Sequence, residues 1–443
     1  MDATGYRHGD AIPCRERPLM RRSVRALAVD VRPLRDSRPY RRLMAGQLVS
    51  LIGRQITVVA VPFQVYAQTH SPLAVGGLGL VQAVPLIAFS LLAGAVTDRF
   101  DRRRILIVTQ VGNAACSVAL LAGALHGHVA LAAIYVIVGV ASAFAAVGAP
   151  TRTAVIPRLV RNEQLTGALA LNIIVFQTSL VAGPAFGGLV IAGLGLGGAY
   201  VIDVATFAAG FIAVWLLPAQ PPLGEHHEAP LAAIARGLVF ARRQPVILGG
   251  FAMDLAAMIF GLPRALFPVL AATAFHTGPV GLGLLYAAPG FGGVLAALIT
   301  GWISRASRLG RVIVVTITIW GLSVIAFGFA RSLVIGLVLL VIAGAADSLS
   351  AVCRNTIMQT LTPDDLRGRV TALYFMVVVS GPYLGDLEAG GVASVTTPQI
   401  SVVSGGVLSL AGLGLAALAF PAVWHYRRQS AAKQAGRLEP GER

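Results

Sequence analysis

The sequence has little charge, almost no lysine and few cysteines. Charged residues make up 12% of its 443 residues, against about 25% in a typical soluble domain. Lys433 is the only lysine, so the apolar part of the chain has neither a Walker A loop nor a lysine able to form a Schiff base. The three cysteines show no paired spacing, and no disulfide framework or metal site is predicted. These shortages disfavour a soluble fold and exclude ATP hydrolysis at a Walker A site.

Apolar residues are abundant instead and occur in long runs. The chain is 56% hydrophobic with a mean hydropathy of +0.76, and about 20 apolar residues suffice to cross a bilayer as a helix. The runs lie near 43–66, 75–96, 104–124, 129–149, 165–192, 196–217, 246–270, 280–303, 310–328, 332–353, 369–391 and 400–424. They predict an all-α polytopic membrane protein with twelve transmembrane helices.

The longest polar interval divides these runs into two sets of six. We predict an N-terminal six-helix bundle over residues 43–217, a cytoplasmic linker over 218–245 and a C-terminal six-helix bundle over 246–424. An arginine-rich cytoplasmic tail over 1–42, expected to be disordered, precedes them. A second cytoplasmic tail over 425–443 follows.

The two halves also repeat in sequence. The motif GLGLxxAxP that begins at Gly77 recurs at Gly281, 204 residues later, and Arg152 recurs as Arg354, 202 residues later. Six helices per half give both repeats the same topology, so an axis along the membrane normal should relate them. A cleft between halves of this kind is where a transporter binds its substrate.

The basic residues indicate the orientation of the chain. If both termini are cytoplasmic, 32 of the 35 basic residues fall in the tails and cytoplasmic breaks. Arg54 and Arg264 lie inside apolar runs, and Arg331 alone lies on the other side. Because arginine is enriched in cytoplasmic loops, this distribution predicts that both termini are inside.

The break between the second and third runs carries the motif GAVTDRFDRRR. It resembles the cytoplasmic loop signature of the major facilitator superfamily, in which an aspartate can accept hydrogen bonds from a helix amino terminus or pair with an arginine. Asp101 stands where that family usually has glycine. The resemblance implies a gating loop made by Gly94, Asp98, Arg99, Arg102 and Arg103.

The fifth run contains a GPxxGG element, which in the same superfamily marks antiporters that export. Its residues are Gly183, Pro184, Gly187 and Gly188. Small residues let helices approach closely, so ordinary helix packing is the alternative interpretation. Further motifs over about residues 40–425 resemble the branch that contains the enterobactin exporter and the macrolide efflux proteins.

Ionisable residues inside membrane helices are costly and are candidates for function. The superfamily resemblance places helices one, four, seven and ten around a central cavity, and three of these carry Arg54, Asp254 and Asp347. We interpret them as a cavity set that couples protons to transport; a static ion pair is the alternative. Asp386 and Glu388 form a second candidate, unless they are merely solvated.

The sequence therefore predicts a secondary active exporter that works by alternating access and proton antiport, and not an enzyme. A proton gradient drives it, without a cofactor or metal, and its cargo is an amphipathic drug or siderophore. We expect a monomer in the bacterial cytoplasmic membrane, whose partners are the substrate, protons and lipid, but no nucleic acid. The alternatives are a proton-coupled importer of a metabolite and a non-transporting membrane sensor or scaffold.

Overall fold

Long helices make up most of the chain. The computed structural model describes residues 30–127, 129–222, 230–261 and 263–427, and within these ranges it contains no strand. The long helices are α1 (Arg38–Thr69), α2 (Pro72–Arg99), α3 (Arg102–Leu125), α4 (Leu131–Leu159), α5 and α6 (together Leu165–Trp215), α7 (Pro245–Phe260), α8 (Pro279–Ile299), α9 (Leu309–Gly328), α10 (Leu333–Leu361), α11 (Asp364–Val395) and α12 (Pro398–Ala419). Shorter helices span Arg32–Asp36, Pro230–Arg243, Phe267–Thr273 and Pro421–His425.

Several helices begin at a hydroxyl residue followed by proline. Ser71 accepts a hydrogen bond from the Ala74 amide at the start of α2, and Thr397 accepts one from Ile400 at the start of α12. The side chain satisfies an amide that has no partner inside the helix, and the fixed φ of proline suits the first helical position. Polar breaks in the sequence thus become sharp helix starts.

Ten described helical segments are long and apolar enough to cross a membrane. One of them runs from Asn162 to Trp215 and includes both α5 and α6, which correspond to two of the predicted runs. Helix α11 is long enough to cross a membrane but is not among the ten. Leucines on the outside of the bundle, such as Leu298 and Leu418, are about four-fifths exposed at 79% and 80%. An apolar outer surface of this kind suits lipid. The prediction of an all-α polytopic membrane protein is confirmed.

Two helices are interrupted where the sequence supplies glycine or proline. Gly195 has φ +69° and ψ −173° inside Leu165–Trp215, and this divides α5 (165–194) from α6 (196–215). Such a backbone conformation is open essentially to glycine alone. After α7, Pro263 precedes a 3₁₀ turn over Arg264–Leu266 and the short helix Phe267–Thr273. The seventh predicted run is therefore a broken helix.

Some predicted boundaries differ from the structure. The tail was predicted to reach residue 42, but residues 32–36 are helical and α1 already begins at Arg38. Helices α4 and α10 continue well past the predicted ends at 149 and 353. Residues 1–29, 223–229 and 428–443 lie outside the described part of the chain, and so do the predictions made for them.

The two halves touch most closely at one end of the bundle, where α2 packs on α11 and α5 packs on α8. A Cβ atom added at Gly390 would lie 2.8 Å from the Cα of Gly76, and one at Gly188 would lie 3.0 Å from the Cα of Gly283. We call this the glycine end, and the opposite end, which carries the α2–α3 loop, the arginine end. Only residues without a side chain permit these backbone approaches.

Candidate transport site

The C-terminal half holds a buried arginine between two carboxylates. The Nη2 atom of Arg354, on α10, lies 2.7 Å from Oδ1 of Asp254 on α7 and 3.5 Å from Oδ1 of Asp347 on α10. Its other nitrogens donate to Ser350 Oγ at 2.8 Å and to the Tyr374 hydroxyl at 3.3 Å. One guanidinium nitrogen is thus shared between two acids, and the remaining donors fix its position.

The two carboxylates differ in exposure. The side chain of Asp254 is 0% exposed, while that of Asp347 is 38% exposed. Asp347 is therefore the more accessible of the two carboxylates, and Asp254 is enclosed.

The predicted cavity set is only partly brought together. Asp254 and Asp347 meet at one arginine, but that arginine is Arg354 and not Arg54. The position of a residue along a predicted helix gives its height in the membrane but not the direction in which its side chain points. Arg354 was placed in a loop because its charge ends the apolar run, whereas α10 continues to Leu361.

Arg54 lies in the N-terminal half, where it lines a cavity together with Arg152. The other residues of the cavity wall are Ser50, Leu51, Thr109, Gln110, Asn113, Phe144, Ala145, Gly148, Ala149 and Phe207. The two arginines are close enough for their charges to repel. The wall thus combines basic, polar and apolar residues.

A buried aspartate stands behind this cavity. Asp203 on α6 is 1% exposed, and its Oδ2 accepts hydrogen bonds of 2.6 Å from both Thr57 and Ser117. Its charge interacts with that of Arg54 without a direct contact. Hydroxyl groups on α1 and α3 hold it inside the bundle.

Asp386 forms a second ion pair, near the glycine end. Its Oδ2 lies 3.2 Å from Nη2 of Arg264, and its Oδ1 accepts a 3.0 Å hydrogen bond from the Ala265 amide. The Arg264 guanidinium also lies over the Tyr383 ring at 5.5 Å. Asp386 is therefore not merely solvated. It connects the 3₁₀ turn that follows α7 to α11. Glu388 is partly exposed and has no hydrogen bond or ion pair to another described residue.

The α2–α3 loop uses Asp101 where Asp98 was expected to act. Asp101 Oδ1 accepts a 2.8 Å hydrogen bond from the Arg103 amide at the start of α3, and its carboxylate also accepts from the Gln220 amide. Asp98 makes no hydrogen bond or ion pair with the described residues. A Cβ atom at Gly94 would meet nothing within 4 Å. Asp101 therefore caps α3 and holds the start of the linker, and Asp98 is unengaged in this conformation.

The arginines of the loop fasten the start of α3 to α4 and to the end of α6. Arg102 is buried and donates to the Ala154 carbonyl at 3.2 Å. Arg103 donates to the Trp215 carbonyl, and its guanidinium lies 5.6 Å from the centroid of that ring. Arg99, by contrast, is exposed. These contacts hold the half-bundle together, while Arg99 and Asp98 make no hydrogen bond or ion pair with the described residues.

Asp98→Asn is expected to lower transport about tenfold or more without lowering the amount of folded protein. The change removes the charge but keeps the shape, and charge-assisted hydrogen bonds contribute about 1.5–3 kcal/mol in the state that makes them. Asp101→Ala should instead lower stability by about 0.5–2 kcal/mol through the lost cap. Efflux and thermal unfolding of both variants separate these roles. Normal efflux by well-folded Asp98→Asn would remove the gating assignment.

The GPxxGG element lies where α5 meets both α1 and α8. A Cβ atom at Gly187 would lie 3.1 Å from the Ile56 Cα on α1, and one at Gly188 would lie 2.5 Å from the Pro279 carbonyl oxygen on α8. The carbonyl oxygen of Pro184 lies equally close to the Cβ position of Gly283. Gly183 packs on Gln55 of α1. The element thus contributes to the contact between the halves at the glycine end.

These features define a membrane transporter with two facing helical halves. Solved transporters share the fold: the nucleoside transporter NupG superposes with a TM-score of 0.70 at 13% identity, over 88% of this chain and 100% of that one. A bacterial homologue of the iron transporter ferroportin gives a TM-score of 0.65 at 16% identity, over 88% and 99%. At these identities the likeness concerns the fold alone.

The family follows from the sequence as a whole. The model of the transmembrane secretion effector family matches residues 29–435, and the chain belongs to this family of major facilitator transporters. It is 28% identical to the enterobactin exporter EntS of Citrobacter koseri over 377 residues, which cover 84% of this chain and 90% of that protein. The enterobactin exporter of Escherichia coli strain HS is 27% identical over 369 residues, covering 83% and 88%.

Proposed function

We propose that this protein is a proton-driven exporter of an amphipathic small molecule, acting as a monomer in the cytoplasmic membrane of a bacterium. The observation that carries the proposal is the arginine shared between an enclosed carboxylate, Asp254, and a partly exposed one, Asp347. Membership of a family of secretion transporters and relatives named as exporters support the direction of transport.

The Arg354 cluster suits proton exchange because its charges are unequal. Two carboxylates and one guanidinium leave one negative charge in excess, and burial favours neutralising it with a proton. When Asp347 takes up a proton, Arg354 can pair with Asp254 alone; when Asp347 releases it, the guanidinium is shared again. A conformational change that moves the open side of Asp347 from one face of the membrane to the other thus carries a proton across.

The contacts between the halves suit alternating access. The backbones of α2 and α11, and of α5 and α8, meet at the glycine end, whereas Gly94 and Gly368 near the arginine end would meet nothing with an added Cβ atom. A rocking motion that separates the glycine contacts and brings the arginine end together would expose the central space to the other side. In that conformation Asp98 would form a hydrogen bond or ion pair across the arginine end.

Cellular accumulation tests the direction of transport. Strains that lack or overproduce the protein are loaded with antibiotics, dyes and siderophores, and retention is followed over time. Export predicts that overproduction lowers retention of at least one compound and that deletion raises it. Higher retention on overproduction would identify an importer, and no change for any compound would favour a sensor or scaffold.

The proposed orientation is tested by reporter fusions. A reporter fused after Arg243 should be active as a cytoplasmic fusion, because the arginine end carries nearly all basic residues. A reporter inserted within residues 126–128, between α3 and α4, should report the outside. A cytoplasmic signal from residues 126–128 would overturn both the orientation and the helix count.

A further inference from the structure

The cavity of the N-terminal half contains two arginines that pair with none of the residues the structure describes. Arg54 lies midway along α1 and Arg152 lies on α4, and both are partly exposed. Neither makes a hydrogen bond or ion pair with any residue that the structure describes. An uncompensated arginine is costly inside a membrane protein, and here two of them face the same space.

The buried Asp203 does not neutralise this pair. Asp203 interacts with Arg54 through space, but its Oδ2 is occupied by Thr57 and Ser117 and it sits behind the cavity wall. One carboxylate set against two guanidinium groups leaves a net positive charge. The positive charge therefore faces the open space and not a protein partner.

The internal repeat shows what is missing. Arg152 corresponds to Arg354, which has two carboxylates. With the same offset of 202 residues, Asp347 corresponds to Ala145, and with the offset of 204 residues that relates the first motif, Asp254 corresponds to Ser50. Ala145 and Ser50 both line the N-terminal cavity. The N-terminal half thus keeps the arginine of the cluster and replaces both acids with small, uncharged residues, which leaves room beside the guanidinium.

The rest of the wall suits a bound oxyanion. Ser50, Gln110 and Asn113 line the same cavity as the arginines and supply a hydroxyl and two amide groups, whereas the Thr109 hydroxyl donates to the Leu106 carbonyl. Phe144 supplies an apolar surface. The planar guanidinium binds carboxylate, phosphate or sulfonate through two parallel hydrogen bonds. Hydroxyl and amide donors can complete the set, while an aromatic ring accommodates the apolar part of an organic molecule.

We infer that Arg54 and Arg152 form a binding site for the anionic group of the transported molecule, so that the cargo is an organic anion. This inference rests on the proposed function for the statement that the ligand is cargo. The two halves then have different roles: the N-terminal arginines bind the anion, and the C-terminal carboxylates bind and release the proton. A protonated and an ionised form of the same cargo should bind differently.

Binding of a matched acid and amide tests the inference. Radiolabelled 1-naphthoate and 1-naphthamide have nearly the same shape and differ in charge, and their affinity for the full-length protein in lipid nanodiscs is measured by equilibrium dialysis. We expect naphthoate to bind about tenfold or more tightly, since hydrogen bonds to charged groups are the strong ones. Failure of naphthoate to bind, or equal affinity for the two compounds, would overturn the inference.

Variants assign the binding to the two arginines. Arg54→Gln and Arg152→Gln should each weaken naphthoate binding about tenfold and change naphthamide binding less than about twofold. Arg331→Gln, at an exposed arginine outside the cavity, should change neither. Arg152→Lys keeps the charge and should retain most of the affinity, which guards against a folding defect in the glutamine variant. Unchanged naphthoate binding by well-folded glutamine variants would place the anion elsewhere.

This test is independent of the proposed function because it requires no gradient and no transport. Selective binding of naphthoate through the arginines together with unchanged accumulation in cells would retain the anion site and reject the exporter. Efflux in cells together with equal binding of acid and amide would retain the exporter and reject the anion site.

Discussion

Arg354→Gln is expected to destabilise the protein by about 3–5 kcal/mol, whereas Arg152→Gln is expected to cost little. The substitution at Arg354 leaves Asp254 buried without its only ion-pair partner among the described residues, and an unpaired buried charge is strongly destabilising. Arg152 occupies the equivalent position in the other half but has no carboxylate to strand. The amount of folded protein after extraction and its unfolding temperature measure the difference.

A double substitution separates the lost ion pair from lost packing. Arg354→Gln combined with Asp254→Asn removes both charges and should recover much of the folded protein. The two sites are in contact, so their effects should not add. Equal losses for Arg354→Gln and Arg152→Gln, or a double variant worse than Arg354→Gln alone, would contradict the assignment of Arg354 as the neutralising charge.

Gly188→Leu is expected to abolish most transport. An added Cβ atom would lie 2.5 Å from the Pro279 carbonyl oxygen, which no side chain tolerates without a backbone shift, and the rest of the leucine would force α5 and α8 apart. Overpacking of this kind costs about 1–3 kcal/mol or more. Because the contact exists only when the glycine end is closed, the cost falls on one conformation of the transport cycle, and its population should fall about tenfold or more.

Gly193 provides the control for that substitution. It lies on the same helix, five residues further on, and a Cβ atom there would meet nothing within 4 Å. Gly193→Leu should therefore support efflux close to that of the unmodified protein, at similar expression. Normal efflux by Gly188→Leu, or an equal loss in both variants, would show that the glycine contact is not part of the cycle.

Hydrophobic runs predicted the helices well because the membrane requires long apolar spans. They misplaced helix ends where a helix carries a charge near its terminus. Arg152 and Arg354 end their apolar runs, yet α4 and α10 continue to Leu159 and Leu361, since their side chains point into the bundle. The 202-residue repeat could have marked both arginines as more than loop charges, but they were counted with the basic residues of the cytoplasmic breaks.

The sequence did not predict which ionisable side chains pair with each other. Asp254 and Asp347 were identified as candidates because ionisable groups in a span are rare, but their partner depends on which way each helix is rotated. The same limit applies to Asp386, whose partner Arg264 lies in the broken part of α7. Asp101 was seen only as a departure from the family pattern, although an aspartate before a helix is a favoured cap.

Efflux from proteoliposomes with and without an imposed pH gradient tests most directly whether the Arg354 cluster couples protons to export. For a compound identified by cellular accumulation, Asp347→Asn or Asp254→Asn should lose gradient-driven efflux while retaining downhill exchange, since the conformational change itself needs no titration. Glu163→Gln, at an exposed acid outside the cluster, should keep both. Gradient-driven efflux by both cluster variants at normal levels of folded protein would contradict the account.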